Sequence, residues 1–234
     1  MEREWMEFLE MVKNTPNVYI TLGGDLLNNG LKNSLTNVYR ERYMPSEAKR
    51  MMAKMLEPVR DRILCAVSGN HERRTSKEVD CDLTYDIMSK LDLETLYREN
   101  IAFVKIQMGV PELETGSKTN GEKRPTYNLV VTHGAGGGIL TGGSVNRNER
   151  FGYVIDGMDA LIVGHTHKPF TSQPGKIVID PRNNKVSIKP FKVITSTSWL
   201  NFSPYAMQKM LLPTTHCLHT LHLSGDHKEI VVTM

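Results

Sequence analysis

Four places in the chain set glycine beside residues able to bind a metal ion or move a proton. They are Gly23-Gly24-Asp25, Gly69-Asn70-His71, His133-Gly134 and Gly164-His165-Thr166-His167. Each follows a short apolar run. Glycine lets the backbone turn sharply and lets a ligand approach closely. A single such piece is as readily a surface or core histidine. Four in succession at the ends of apolar runs point instead to one shared site. His165 and His167 are two apart on an extended segment, so both side chains can face a common cluster.

The elements that must position these residues are readable from periodicity. Trp5, Phe8, Leu9 and Val12 recur at helical spacing and predict a first helix, with Trp5 as its core anchor. Asn14-Thr15-Pro16-Asn17 breaks it, and Val18 to Leu22 reads as a buried strand stopping at Asp25. A second helix is expected from about Ser46, its N-cap, with Ala48, Met51, Met52, Met55 and Val59 on one core face and Pro58 near its end. Ile63 to Val67 is the next strand and leads into Asn70 and His71. A helix over Leu83 to Tyr97, strands over Ile101–Met108 and Tyr127–Thr132, and a short helix near Asn148–Ile155 follow. Ala160 to Val163 then runs into His165. The last third reads as strands: Lys176–Asp180, a Pro181–Asn184 turn, Val186–Ser198, and a final pair turning at Ser224-Gly225-Asp226. Glu112 to Pro125 is polar and reads as an exposed loop. Ligands at the carboxyl ends of strands in an α/β sheet converge on one crevice.

The ordered set Gly24-Asp25, Gly69-Asn70-His71-Glu72, Thr132-His133-Gly134 and Gly164-His165-Thr166-His167 resembles the calcineurin-like metallophosphoesterase superfamily over about residues 15 to 200. The details are most similar to bacterial and bacteriophage members. The resemblance implies an α/β fold: a four-layer sandwich of two packed mixed β-sheets flanked by helices, formed by a single domain over residues 1–234. It implies metal ligation by Asp25, Asn70, His133, His165 and His167, with Asp25 bridging two ions. His71 would face the leaving-group oxygen, so His71 and Asp25 are the expected catalytic residues. The expected cofactor is a divalent ion, Mn first and Fe, Zn or Ni as alternatives, since neutral imidazoles suit borderline cations. Two such ions about 3.5–4 Å apart can share a hydroxide that attacks phosphorus in line while they clamp the phosphoryl oxygens.

One departure stands out. Family members begin with a strand ending in Asp-x-His, and no such motif precedes Asp25. The expectation is therefore a truncated or mis-started chain whose first strand is missing and whose activity is impaired, set against a relative that holds one metal in place of two. A relative that keeps the fold as a catalytically inactive scaffold or binding protein is the alternative. Asn28-Asn29 also stands near where many relatives carry an acidic residue.

Arg73 and Arg74 follow His71 closely enough to meet a phosphate, which arginine matches by bidentate hydrogen bonding. Ion pairing with Glu78, Asp80 and Asp82 is the bland alternative. Gly136-Gly137-Gly138 and Gly142-Gly143 could form a rim over substrate or a plain loop. His216, Cys217, His219, His222 and His227 crowd the C-terminal strands but lack the fixed spacing of a zinc site, and read as ordinary strand residues. Lys118, Lys123 and Arg124 read as a solvated loop patch.

Composition bounds the rest. Lys and Arg total 29 against 26 Asp and Glu, a net charge of +3, too small an excess to argue for nucleic acid by bulk electrostatics. No apolar run approaches the roughly 20 residues of a spanning helix, so no membrane association is expected. Three dispersed cysteines (Cys65, Cys81 and Cys217) and an N-terminus without a signal-peptide pattern predict a cytoplasmic protein without disulfides. The expected partner is a phosphoester substrate, most simply a phosphodiester, with a nucleotide or nucleic acid (a DNA exo- or endonuclease) as the nearest variant. Oligomeric state is not encoded in any feature of the chain.

Overall fold

In a computed structural model of the chain, residues 2–32, 41–108, 125–137, 140–199, 213 and 217–234 are described. The expected loop over Glu112 to Pro125 lies almost wholly outside them, as do Lys118, Lys123, Arg124, Gly138 and His216. The helices are α1 (Glu2–Asn14), α2 (Pro45–Leu56), α3 (Glu72–Val79), α4 (Leu83–Lys90) and α5 (Thr141–Val154). The strands of the first sheet are β1 (Ile20–Leu22), β2 (Ile63–Val67) and β3 (Tyr97–Arg98), in that order and all parallel. The second sheet combines β4 (Ile101–Gln107), β5 (Thr126–Thr132), β6 (Ala160–Val163), β7 (Phe170–Ser172) and β10 (Lys192–Thr195) in the order β4-β5-β6-β10-β7, with parallel and antiparallel pairs. Two hairpins complete the fold: β8 (Gly175–Asp180) with β9 (Lys185–Pro190), and β11 (Thr220–Leu223) with β12 (Ile230–Thr233).

Alternation along the strands builds the layers. Cys65 and Val67 on β2 pack against Ala102 and Val131 of the second sheet, forming the seam between the sheets. The outer face of the first sheet meets α1, α2 and α4 through Leu9, Val12, Leu56, Leu83, Ile87 and Met88. On β5, Leu129 and Val131 share one face, and Leu129 packs beside Leu221, Leu223, Ile230 and Val232 of the last hairpin. Val130 points the other way and meets the α5 side through Phe151 and Ile155. The result is helices, sheet, sheet, helix: the four-layer α/β sandwich, with the first sheet parallel and only the second mixed. Tyr127 pins the last hairpin, donating from its hydroxyl to Ser224 O (2.7 Å) and accepting from Glu229 N (3.1 Å).

Several boundaries differ from the sequence expectation, each for a local reason. Ser46 is not the cap of α2; Pro45 opens the helix, its fixed φ preorganised for a first turn, and Met44 precedes it. Pro58 sits in the 3-10 turn Glu57–Arg62 that ends α2. The helix expected over Leu83 to Tyr97 stops at Lys90. Asp82 caps it by accepting from the amides of Thr84 and Tyr85 (both 3.0 Å), and Tyr97 has become a strand residue. α5 begins earlier than expected and takes Gly142 and Gly143 into its first turn. Helix α3 was not expected at all. Its sequence, ERRTSKEV, offers no apolar stripe, because the residues it buries are Glu72 and Thr75. No helix among the described residues is long and apolar enough to cross a membrane.

Candidate metal centre

The carboxyl ends of β1, β2, β5 and β6 bring the motif residues together. β1 ends at Leu22, and Gly24 (φ 85°) and Asp25 (φ 53°) turn the chain through left-handed backbone. A Cβ on Gly24 would stand 2.6–2.8 Å from Gly69 N, Gly69 Cα and His133 Nδ1, so only glycine allows the three segments to close up. His165 (φ 66°) and His167 (φ 53°) are also left-handed. Non-glycine residues held there cost about 1–3 kcal/mol each and cluster at functional sites.

Four donor atoms meet at this point. His133, 3% exposed, lies with Nε2 2.9 Å from Asn70 Oδ1, 3.2 Å from His165 Nδ1 and 3.3 Å from Asp25 Oδ2. His165 Nδ1 is 2.7 Å from the same Asn70 oxygen. Asp25, His133 and His165 each direct a ligand atom within 4.8 Å of the others, the one such group of histidine, cysteine and acidic residues among those described. His133 Nδ1 is 2.8 Å from Gly23 O, a bond that requires the ring proton on Nδ1 and leaves the Nε2 lone pair facing the cluster. With the His165 ring proton on Nε2, four lone pairs converge. Among the described residues only a shared proton relieves that repulsion, whereas a cation bound by all four would. Two imidazoles, an amide oxygen and a carboxylate are a donor set suited to a borderline divalent ion, so the residues present fit a metal.

The electrostatics agree with that reading. Burial raises the Asp25 carboxyl, but His133, the His71 amide and the His71 ring outweigh it and hold the pKa at about 2. Burial opposes charge on His133, yet the Asp25 carboxylate and the Gly23 carbonyl overcome it and raise its pKa. Burial lowers His165 and His167, with neighbouring histidines adding to the effect, so both favour the neutral form that binds metals.

The remaining expected residues take distinct places. His71 stands at the rim with Nδ1 2.9 Å from Asn28 O and Nε2 3.8 Å from Asp25 Oδ2, while its backbone amide donates to Asp25 Oδ1 (2.9 Å). Its pKa lies below the ordinary value, through burial and the nearby Arg74 charge. His167 feels the charges of Asp25 and the other site histidines, but it is not part of the close triad. Arg73 Nη2 donates to Glu99 O (2.9 Å) and Ser68 O (3.3 Å), and Arg74 Nη1 donates to Asn28 O (3.1 Å) and Asn29 O (3.4 Å). Both guanidinium groups thus brace backbone beside the site. The C-terminal histidines are elsewhere: His222 meets Thr233 and His227 meets Glu229.

Sequence reasoning gave Glu72 no role beyond its place in the Gly69-Asn70-His71-Glu72 motif. Its carboxylate, 1% exposed, accepts from the backbone amides of Asp25 (3.0 Å), Leu27 (2.8 Å) and Gly69 (3.0 Å). The available signal was a charged residue where the following helix offers no apolar one. A family model described as calcineurin-like phosphoesterase matches residues 3–169, more than half of the chain. Searches of curated proteins and of solved structures each returned no match. With the donor set, the strand-end geometry and the four-layer sandwich, that match shows that the chain belongs to the calcineurin-like phosphoesterase family.

Proposed function

We propose that the chain is a metal-dependent phosphoesterase acting on phosphodiesters, with Mn²⁺ as its working ion. The observation that carries this reading is the convergence of Asp25, Asn70, His133 and His165 on one point. These four residues would hold the cation, which when bound neutralises phosphoryl charge and activates water. His133 is kept in the ligating tautomer by Gly23 O. His71 has its Nδ1 proton committed to Asn28 O, so Nε2 is the nitrogen that takes up and releases a proton, the atom we assign to the leaving-group oxygen. His167 and the bridging role of Asp25 belong to a fuller metal site of the same kind.

The test is hydrolysis of bis(p-nitrophenyl) phosphate by the purified chain with Mn²⁺, Fe²⁺, Zn²⁺ or Ni²⁺. Release of p-nitrophenol that requires the ion and disappears in Asp25→Asn is the expected result. No turnover with any of the four ions overturns the enzyme reading in favour of a binding protein that keeps the fold. His71→Ala should lower kcat while Mn²⁺ stoichiometry is kept, and equal loss of both would contradict its assigned role. Release of nucleotides from DNA, measured in parallel, separates a nuclease from an enzyme of small phosphodiesters.

A further inference from the structure

Two backbone segments supply donors from the first sheet: Gly24–Leu27 after β1 carries Asp25, and Gly69–Glu72 after β2 carries Asn70. They are laced together in both directions. The His71 amide donates to the Asp25 carboxylate, and the amides of Asp25 and Leu27 donate to the Glu72 carboxylate. Glu72, the first residue of α3, also accepts from Gly69 N three residues back, ahead of the His71 N-cap. Asn29 extends the brace, donating from Nδ2 to His71 O (2.6 Å) and Thr75 Oγ1 (2.9 Å).

We infer that Glu72 is a positioning residue that sets the spacing between the Asp25 and Asn70 metal donors by clamping the two loops through their backbone amides. The inference rests on the metal-site reading above. Closing the local turn before α3 needs only the bond to Gly69. The bonds to Asp25 and Leu27 cross to another strand and bear on the donor that the site shares most widely. A carboxylate is the side chain required, because two oxygens receive three N–H groups with no hydrogen of their own in the way. Glutamine at this position keeps one oxygen and turns an NH₂ group toward at least one buried N–H. That leaves a backbone donor without an acceptor and frees the loop. Groups that orient metal ligands from behind typically alter metal affinity by about 10- to 100-fold.

The experiment is calorimetric titration of the intact chain with Mn²⁺ in wild type, Glu72→Gln and Asp82→Ala, alongside thermal midpoints. Asp82 caps α4 away from the donors, so Asp82→Ala should lower the midpoint and leave the Mn²⁺ Kd unchanged. Glu72→Gln is expected to raise the Mn²⁺ Kd at least about tenfold, and Glu72→Asp, which keeps the charge but not the reach, should not restore it. A folded Glu72→Gln that binds Mn²⁺ like wild type overturns the role of Glu72 alone. Wild type that takes up no Mn²⁺ overturns the metal reading and this role with it. Should both Glu72 variants fail to fold, amide hydrogen exchange in wild type decides. The amides of Asp25 and Leu27 must be protected, and exchange as fast as in open loop would overturn the clamp.

Discussion

His133 Nε2 lies 3.3 Å from Asp25 Oδ2, and both side chains are almost out of water, at 4% and 15% exposure. The two residues close different sheets, so their contact measures how the sandwich halves are docked at the site. A proton on His133 Nε2 would be held by the Asp25 carboxylate, and a divalent ion would compete for the same position.

That competition has a pH signature. The Asp25 pKa is depressed from 3.8 to about 2, so its stabilisation is fully present above about pH 4 and is lost as pH falls through about 2. It amounts to about 2 kcal/mol. The His133 pKa is raised above 6.5, so its contribution is present below about 6.5 and is lost as pH rises through the higher folded value. Urea denaturation in EDTA should therefore show the largest stability difference between wild type and Asp25→Asn between about pH 4 and 6.5. With Mn²⁺ the affinity should weaken as pH drops and His133 protonates. A pH-independent difference between wild type and Asp25→Asn would contradict this account.

Gly24 packs directly against Gly69 where the β1 and β2 loops meet. Gly24→Ala places a Cβ against Gly69 backbone and His133 Nδ1 and demands φ near 85° of a residue with a side chain. The expected cost is about 1–3 kcal/mol of stability, together with weaker Mn²⁺ binding. Chemical denaturation and calorimetry on the same preparation measure both; retention of wild-type values in each would show that the loops are not packed this tightly.

The core beneath the site is tested at Leu56, which is fully buried among α1, α2 and α4 residues. Leu56→Ala removes apolar volume from a packed cluster and should cost about 2–5 kcal/mol in denaturant unfolding. Because the cluster lies on the far face of the first sheet, the variant should still bind Mn²⁺ at temperatures where it is folded.

Cys65 sits in the seam between the sheets, and burial pushes its thiol up to about 12, with Arg98 only partly opposing. A disulfide reagent such as DTNB at pH 8 should leave it unmodified in the native chain and react once the chain is unfolded. Rapid native labelling of Cys65, read by peptide mass, would mean the two sheets part more readily than their packing implies.

The comparison between sequence and structure divides along physical lines. Asp25, Asn70, His71, His133 and His165 could be singled out because each ends an apolar run beside glycine, and period-two and period-3.6 patterns are local properties of the chain. The same patterns located α1, β2, β5, β6 and both C-terminal turns. They missed α3, whose inward face is Glu72 and Thr75, because a helix that buries hydrogen-bonded polar groups leaves no apolar signature. They left Arg73 and Arg74 even between a phosphate and acidic neighbours, and did not anticipate that each also donates to backbone carbonyls of other segments.

What the sequence alone determined, then, is which residues could do chemistry and which family they belong to. Only the tertiary structure decided which donors actually meet: Asn70 with His133 and His165, His71 at the rim on Asn28 O, and Glu72 behind them all. Distances of 3 Å between side chains on separate strands depend on how two sheets dock and how buried backbone amides find acceptors, and neither is a property of any local stretch of chain.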